Sequence, residues 1–92
     1  MKLNIDTVKT VAEVAELIGE GATIAIQCHD YKTYDEALED ATMVSNVLGL
    51  DISEGKRNGT GWLSMKDKQY GNNIEIVLYY SYSYESKVVS HA

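Results

Sequence analysis

The chain has 92 residues, 45% of them hydrophobic and 24% charged, which is the balance of one folded domain and excludes a disordered tail. Eight Lys and Arg stand against fourteen Asp and Glu, so the net charge of −6 and pI near 4.7 argue against binding nucleic acid through its phosphates and favour cationic partners. Cys28 is the single cysteine, which excludes an internal disulfide framework and a multi-cysteine metal site, and no apolar run reaches the ~18 residues that cross a bilayer.

In chain order, residues 2–6 suit a short strand with Leu3 and Ile5 on one face, and Met1 to Asp6 lack the apolar stretch of a secretory signal. Thr10-Val11-Ala12-Glu13 has the form of a capping box, in which hydroxyl and carboxylate satisfy free backbone N–H groups. Val11, Val14, Ala15, Leu17 and Ile18 then recur at helical spacing until Gly19 and Gly21. Residues 22–28 alternate as a strand, with Ile24, Ile26 and Cys28 on one face. A second capping box, Thr33-Tyr34-Asp35-Glu36, opens a helix striped by Tyr34, Ala37, Leu38, Ala41, Val44, Val47 and Leu48. Gly49 closes it, and Leu50 and Ile52 suit the apolar contact that accompanies a glycine cap.

Residues 53–61 hold three glycines and two basic residues without periodicity and read as a flexible loop. Residues 62–66 alternate as a strand, Tyr70-Gly71-Asn72-Asn73 supplies a turn, and residues 74–85 form the long second strand of a hairpin. On it the even positions, from Ile74 to Tyr84, share one face, and Val77 and Tyr79 lie on the other. Residues 86–92 read as a mobile tail. The expected fold is a single α+β domain of order βαβαββ, with two helices on one face of a small, largely antiparallel sheet.

Few residues suggest chemistry. Cys28-His29-Asp30 sets a nucleophile, a base and a carboxylate in a row, but adjacent strand residues project to opposite faces, so a buried structural cysteine beside a strand-end histidine is the expectation and no enzyme activity is expected. A metal site on His29, Asp30 and His91 needs a folded-back tail, so neither metal nor cofactor is expected. Lys56 and Arg57, in the glycine-rich stretch, could touch an anion or an acidic patch, although the phosphate-loop order of glycines, lysine and helix is missing.

Asp35, Glu36, Glu39 and Asp40 give the second helix an acidic face, with like charges paired at i, i+4. That face is either solvated or a row of carboxylates that imitates a nucleic-acid backbone. Tyr79, Tyr82 and Tyr84 are candidate partner contacts on a strand whose distal half outruns its expected neighbour; the even-numbered tyrosines stand in the core or at an interface, and the exposed edge over residues 74–85 suits a homodimer. Trp62 suits the core or its edge rather than a ligand platform.

In size, charge, carboxylate row and lack of a catalytic constellation, the chain resembles the small acidic phage-encoded inhibitors of host defence, of the anti-restriction and anti-CRISPR types. That resemblance implies a non-enzymatic inhibitor acting on a nuclease or nucleic-acid-binding effector, at its basic channel or at a regulatory surface. The expected partner is therefore a protein with a basic surface, met in the cytoplasm, with no direct nucleic acid and no membrane contact. The alternative is a small homodimeric regulatory or ligand-sensing domain that binds an anionic metabolite at residues 53–61.

Overall fold

A computed structural model describes residues 2–18, 23–66 and 73–81. The elements in order are α1 (Ile5–Ile18), β1 (Thr23–Tyr31), α2 (Tyr34–Leu48), β2 (Asp51–Arg57), β3 (Thr60–Lys66) and β4 (Asn73–Ser81). The four strands form one sheet in the order β1-β4-β3-β2, with β1 parallel to β4 and the other two pairings antiparallel. The α+β class, the two helices and the largely antiparallel four-stranded sheet are as expected. The placement of two elements is not.

The expected strand at residues 2–6 is absent, because α1 starts earlier than Thr10. Asn4 caps it: its Oδ1 accepts from the Thr7 amide at 2.9 Å and its carbonyl from the Val8 amide at 3.1 Å. Leu3 and Val8, before the cap and one turn in, are both buried in the arrangement of a hydrophobic staple. Thr10 is inside the helix, where its hydroxyl donates to the Asp6 carbonyl at 3.0 Å. The buried face of α1 is Val8, Val11 and Ala15, which leaves Val14 and Leu17 exposed.

The fourth strand comes from the stretch expected to be a loop. β2 and β3 pair from Asp51↔Lys66 to Arg57↔Thr60 and turn through Asn58 and Gly59 at φ of 51° and 85°. Positive φ at both central residues is the signature of a type I′ hairpin turn, whose twist matches the strands it joins. The other two glycines of the hairpin, Gly55 and Gly61, provide room instead of freedom. A Cβ on Gly55 would come within 2.3 Å of the Trp62 ring, and one on Gly61 within 2.3 Å of the Tyr80 ring. Each glycine seats an aromatic ring from the neighbouring strand.

α2 follows its sequence signals closely. Thr33 Oγ1 accepts from the Glu36 amide at 3.2 Å, and Gly49, at φ 70°, donates its amide to the Ser45 carbonyl at 2.8 Å. Ser45 Oγ then donates to the Leu50 carbonyl at 2.6 Å, which ties the helix end to the start of β2. Ala37, Ala41 and Val44 face the sheet. One core joins them to Leu3, Val8, Val11 and Ala15 and to the inner residues of the sheet, among them Cys28, Leu63, Met65, Ile76, Leu78 and Tyr80. With both helices on that side, the opposite face of the sheet bears no helix among the described residues.

The described part of β4 is the second strand of the sheet, paired with β1 from Asn73 to Tyr80 and with β3 from Glu75 to Ser81. Over these residues it is not the open edge that the sequence suggested, so homodimerisation by strand addition has no free edge there; the edges are β1 and β2. Residues 82–85 and the tail 86–92 lie outside the described residues, as do residues 70–72 of the turn expected at 70–73, whose last residue, Asn73, begins β4 instead.

Candidate functional site: an aromatic row on the open sheet face

The ladder register defines the outer face rung by rung. Asp51, Lys66, Glu75 and Ala25 form one rung, Ser53, Ser64, Val77 and Gln27 the next, and Gly55, Trp62 and Tyr79 the third, followed by Arg57, Thr60 and Ser81. Polar and charged residues make most of this surface. The third rung is different, since the Trp62 indole lies over Gly55 and its ring centre is 6.3 Å from that of Tyr79, at an interplanar angle of 56°.

β1 completes that rung through His29, next to a bulge. Cys28 pairs with Leu78 and Tyr31 with Tyr80, so three steps on β1 match two on β4 and one residue is extra. Without the shift, strict alternation would turn Tyr31 outward; with it, both Cys28 and Tyr31 are buried while His29 projects to the outer face. There the imidazole stacks on Tyr79 with centroids 4.5 Å apart and planes within 3°. His29, Tyr79 and Trp62 thus make a continuous aromatic row across three strands, seated at its far end on Gly55 of the fourth. Trp62 and Tyr79 are half-buried and His29 is exposed. Trp62, expected in the core or at its edge, is on the outer face.

Strand alternation separates the residues of the nucleophilic candidate. Cys28 is buried on the helix side, where burial pushes its thiol pKa up, and His29 is engaged on the other side. Among the described residues, no group of three or more His, Cys, Asp or Glu could hold a metal ion; His91 lies outside them.

The acidic helix residues divide into two pairs. Asp40 accepts from the Tyr31 hydroxyl at 2.6 Å, and that hydroxyl in turn accepts from the Leu3 amide at 3.1 Å, which fastens the N-terminal segment to β1 and α2. Burial, then the bond to Asp40, holds the Tyr31 phenol well above its ordinary pKa. Glu36 accepts from the Lys32 amide and forms an ion pair with Lys2. Asp35 and Glu39 remain exposed, but on the helix layer, away from the aromatic row. Nearby, Tyr34 stacks edge-on against Tyr80 at 5.6 Å, and a hydrogen bond to Glu54 raises its phenol pKa.

Of the tyrosines expected at the partner surface, Tyr79 is in the row, while Tyr82 and Tyr84 lie outside the described residues. Lys56 and Arg57 do not converge on an anion: opposite Gly61 and Thr60 respectively, they are on opposite faces of β2. Searches against protein-family models, curated proteins and solved structures each returned no match. Among the described residues, no helix is long and apolar enough to cross a membrane.

Proposed function

We propose that this chain is a non-enzymatic protein-binding domain that acts by occupying a surface of its partner, and that the open sheet face is its contact. The observation that carries this reading is the His29–Tyr79–Trp62 row on a face that no helix covers among the described residues. Trp, Tyr and Arg are the residue types that dominate binding energy at protein interfaces, and here Trp62, Tyr79 and Arg57 stand among Ser53, Ser64, Thr60 and Gln27, a mixture of rigid aromatic anchors and adaptable polar groups. The net charge of −6 favours a basic partner, and the resemblance to phage-encoded inhibitors favours a cytoplasmic host-defence nuclease or nucleic-acid-binding effector.

The acidic helix has a smaller part in this reading than its row of carboxylates suggested. Glu36 and Asp40 are engaged within the fold, and a partner lying flat on the aromatic row would not reach Asp35 and Glu39 on the helix layer. Those two carboxylates contribute to long-range attraction instead of contact. The anionic-metabolite alternative has lost its support, since residues 53–61 are a hairpin with Lys56 and Arg57 on opposite faces.

The test is capture of partners by the tagged chain from bacterial lysate, at low and moderate salt, with identification by mass spectrometry. The native chain should retain one nuclease or nucleic-acid-binding complex. The double variant Trp62→Ala/Tyr79→Ala should lose it, whereas Asp35→Lys/Glu39→Lys should weaken capture mainly at low salt. Capture that survives removal of both rings would rule out this face as the contact.

A further inference from the structure

We infer that the aromatic row receives the guanidinium of an arginine on a basic segment of the partner, an assignment that rests on the open sheet face being the interaction surface. Tyr79 is the middle ring of the row, with His29 parallel to it at 4.5 Å and Trp62 tilted by 56° at 6.3 Å. A tilted pair at that separation does not close its π faces against each other as a parallel stack does, and indole and phenol faces attract cations through their quadrupole. Both rings are half-buried, so they are fixed by their surroundings yet accessible.

Charge then selects the occupant. The ionic residues of the described outer face are Asp51 and Glu75 against Lys66 and Arg57, so the face has no excess positive charge to hold a phosphate, and the chain as a whole is at −6. A nucleobase would find rings to stack on, but its phosphate would meet an unfavourable field. A cationic segment is drawn in by the same field. Arginine suits the row better than lysine because its guanidinium is planar and weakly hydrated, and it can stack while its N–H groups donate in the ring plane. Ser64 and Thr60, on the rungs flanking Trp62, bring hydroxyl acceptors to the same face.

Trp62 is the only tryptophan in the chain, so its emission reports directly on the site. The full chain is titrated with hexa-arginine, hexa-lysine and adenosine monophosphate at low and moderate salt. Hexa-arginine should bind roughly 2- to 5-fold more tightly than hexa-lysine, the ratio that one exposed cation–π contact supplies. The preference should persist at moderate salt, vanish in Tyr79→Leu and remain in Asp35→Asn/Glu39→Asn. Gly55→Ala, which displaces the Trp62 ring and removes no functional group, gives a second variant and should lower the preference in the same direction. Equal affinity for the two peptides, a preference that survives both ring-site variants, or tighter binding of adenosine monophosphate would overturn the guanidinium assignment. The broader reading fails by a different measurement, lysate capture that is insensitive to the loss of Trp62 and Tyr79.

Discussion

The two faces of the sheet use one device in opposite settings. On the inner face Tyr80 lies over Gly61 beneath the helices, and on the outer face Trp62 lies over Gly55 with no helix above it among the described residues. In each pair a glycine leaves the room that a ring needs to lie flat on the neighbouring strand, so local geometry is nearly the same. The environment is not. The inner ring is part of a packed core and takes its value from stability, whereas the outer ring is held in a defined position where a partner can reach it. The comparison shows that a glycine-rich stretch can be stiff, and that an aromatic residue's role follows from which face of the strand it occupies.

The largest expected effect tests the difference in packing between the two faces. Leu78, fully buried on the inner face, and Val77, buried to 7% exposure on the outer face but outside the main core cluster, should differ: Leu78→Ala is expected to lose about 2–5 kcal/mol and Val77→Ala only about 1–2 kcal/mol, measured by urea unfolding. Losses of similar size would show that Val77 is packed as tightly on the outer face as Leu78 is beneath the helices.

The glycine pair sharpens the contrast. Gly61→Ala forces a methyl into the Tyr80 ring within the core and should destabilise by roughly 1–3 kcal/mol. Gly55→Ala meets Trp62, which can lift toward solvent, so its net effect should be within about 1 kcal/mol of zero, with a red shift of the single-tryptophan emission as the signature.

Tyr31 ties the helix layer to the sheet, and Tyr31→Phe should destabilise by about 1–3 kcal/mol because Leu3 and Asp40 lose their shared hydrogen-bond partner. The pH dependence has a definite sign. The phenol pKa is raised on folding, so above about pH 10 the unfolded chain has lost a proton that the folded chain retains, and stability falls as pH climbs. The limiting slope from this one group is about 1.4 kcal/mol per pH unit, and it should be missing in Tyr31→Phe when unfolding is followed between neutral and strongly alkaline pH.

The smallest effect is expected at His29. It is exposed and stacked on a half-buried ring, so His29→Ala should change stability by no more than about 0.5 kcal/mol while weakening partner capture. A large loss of stability would make His29 a structural residue and the row part of the fold's own packing.

Much of the fold was legible because its signals are local. Thr33 and Gly49 bound α2 through hydrogen bonds within one turn, and the alternation of residues 23–28 and 74–80 sorted Cys28, Leu78 and Tyr80 onto one side. At the N-terminus two local signals competed. Asn4 at the cap with Leu3 and Val8 around it outweighed the Thr10–Glu13 box, which is compatible with a helix interior as well as a start. The hairpin was legible in principle: Asn58-Gly59 is the strongest two-residue turn signal, and counting outward from it sets Gly55 opposite Trp62 and Gly61 opposite Lys56. Three glycines in nine residues pointed toward a loop because the role of a seat for a ring depends on the strand next door.

By itself the sequence determined the class of fold, the limits of α2, the inward set of core residues and the negative field, since each follows from periodicity, capping or composition along the chain. Tertiary structure decided the row. Pairing in register with β4 sets His29, outward by alternation from Cys28, beside Tyr79, β4 inserts between β1 and β3, and the hairpin register sets Trp62 on Gly55, so three rings separated by up to 50 positions meet on one face. Strand order and register are set by long-range pairing and by which face the helices bury, and no local pattern encodes them.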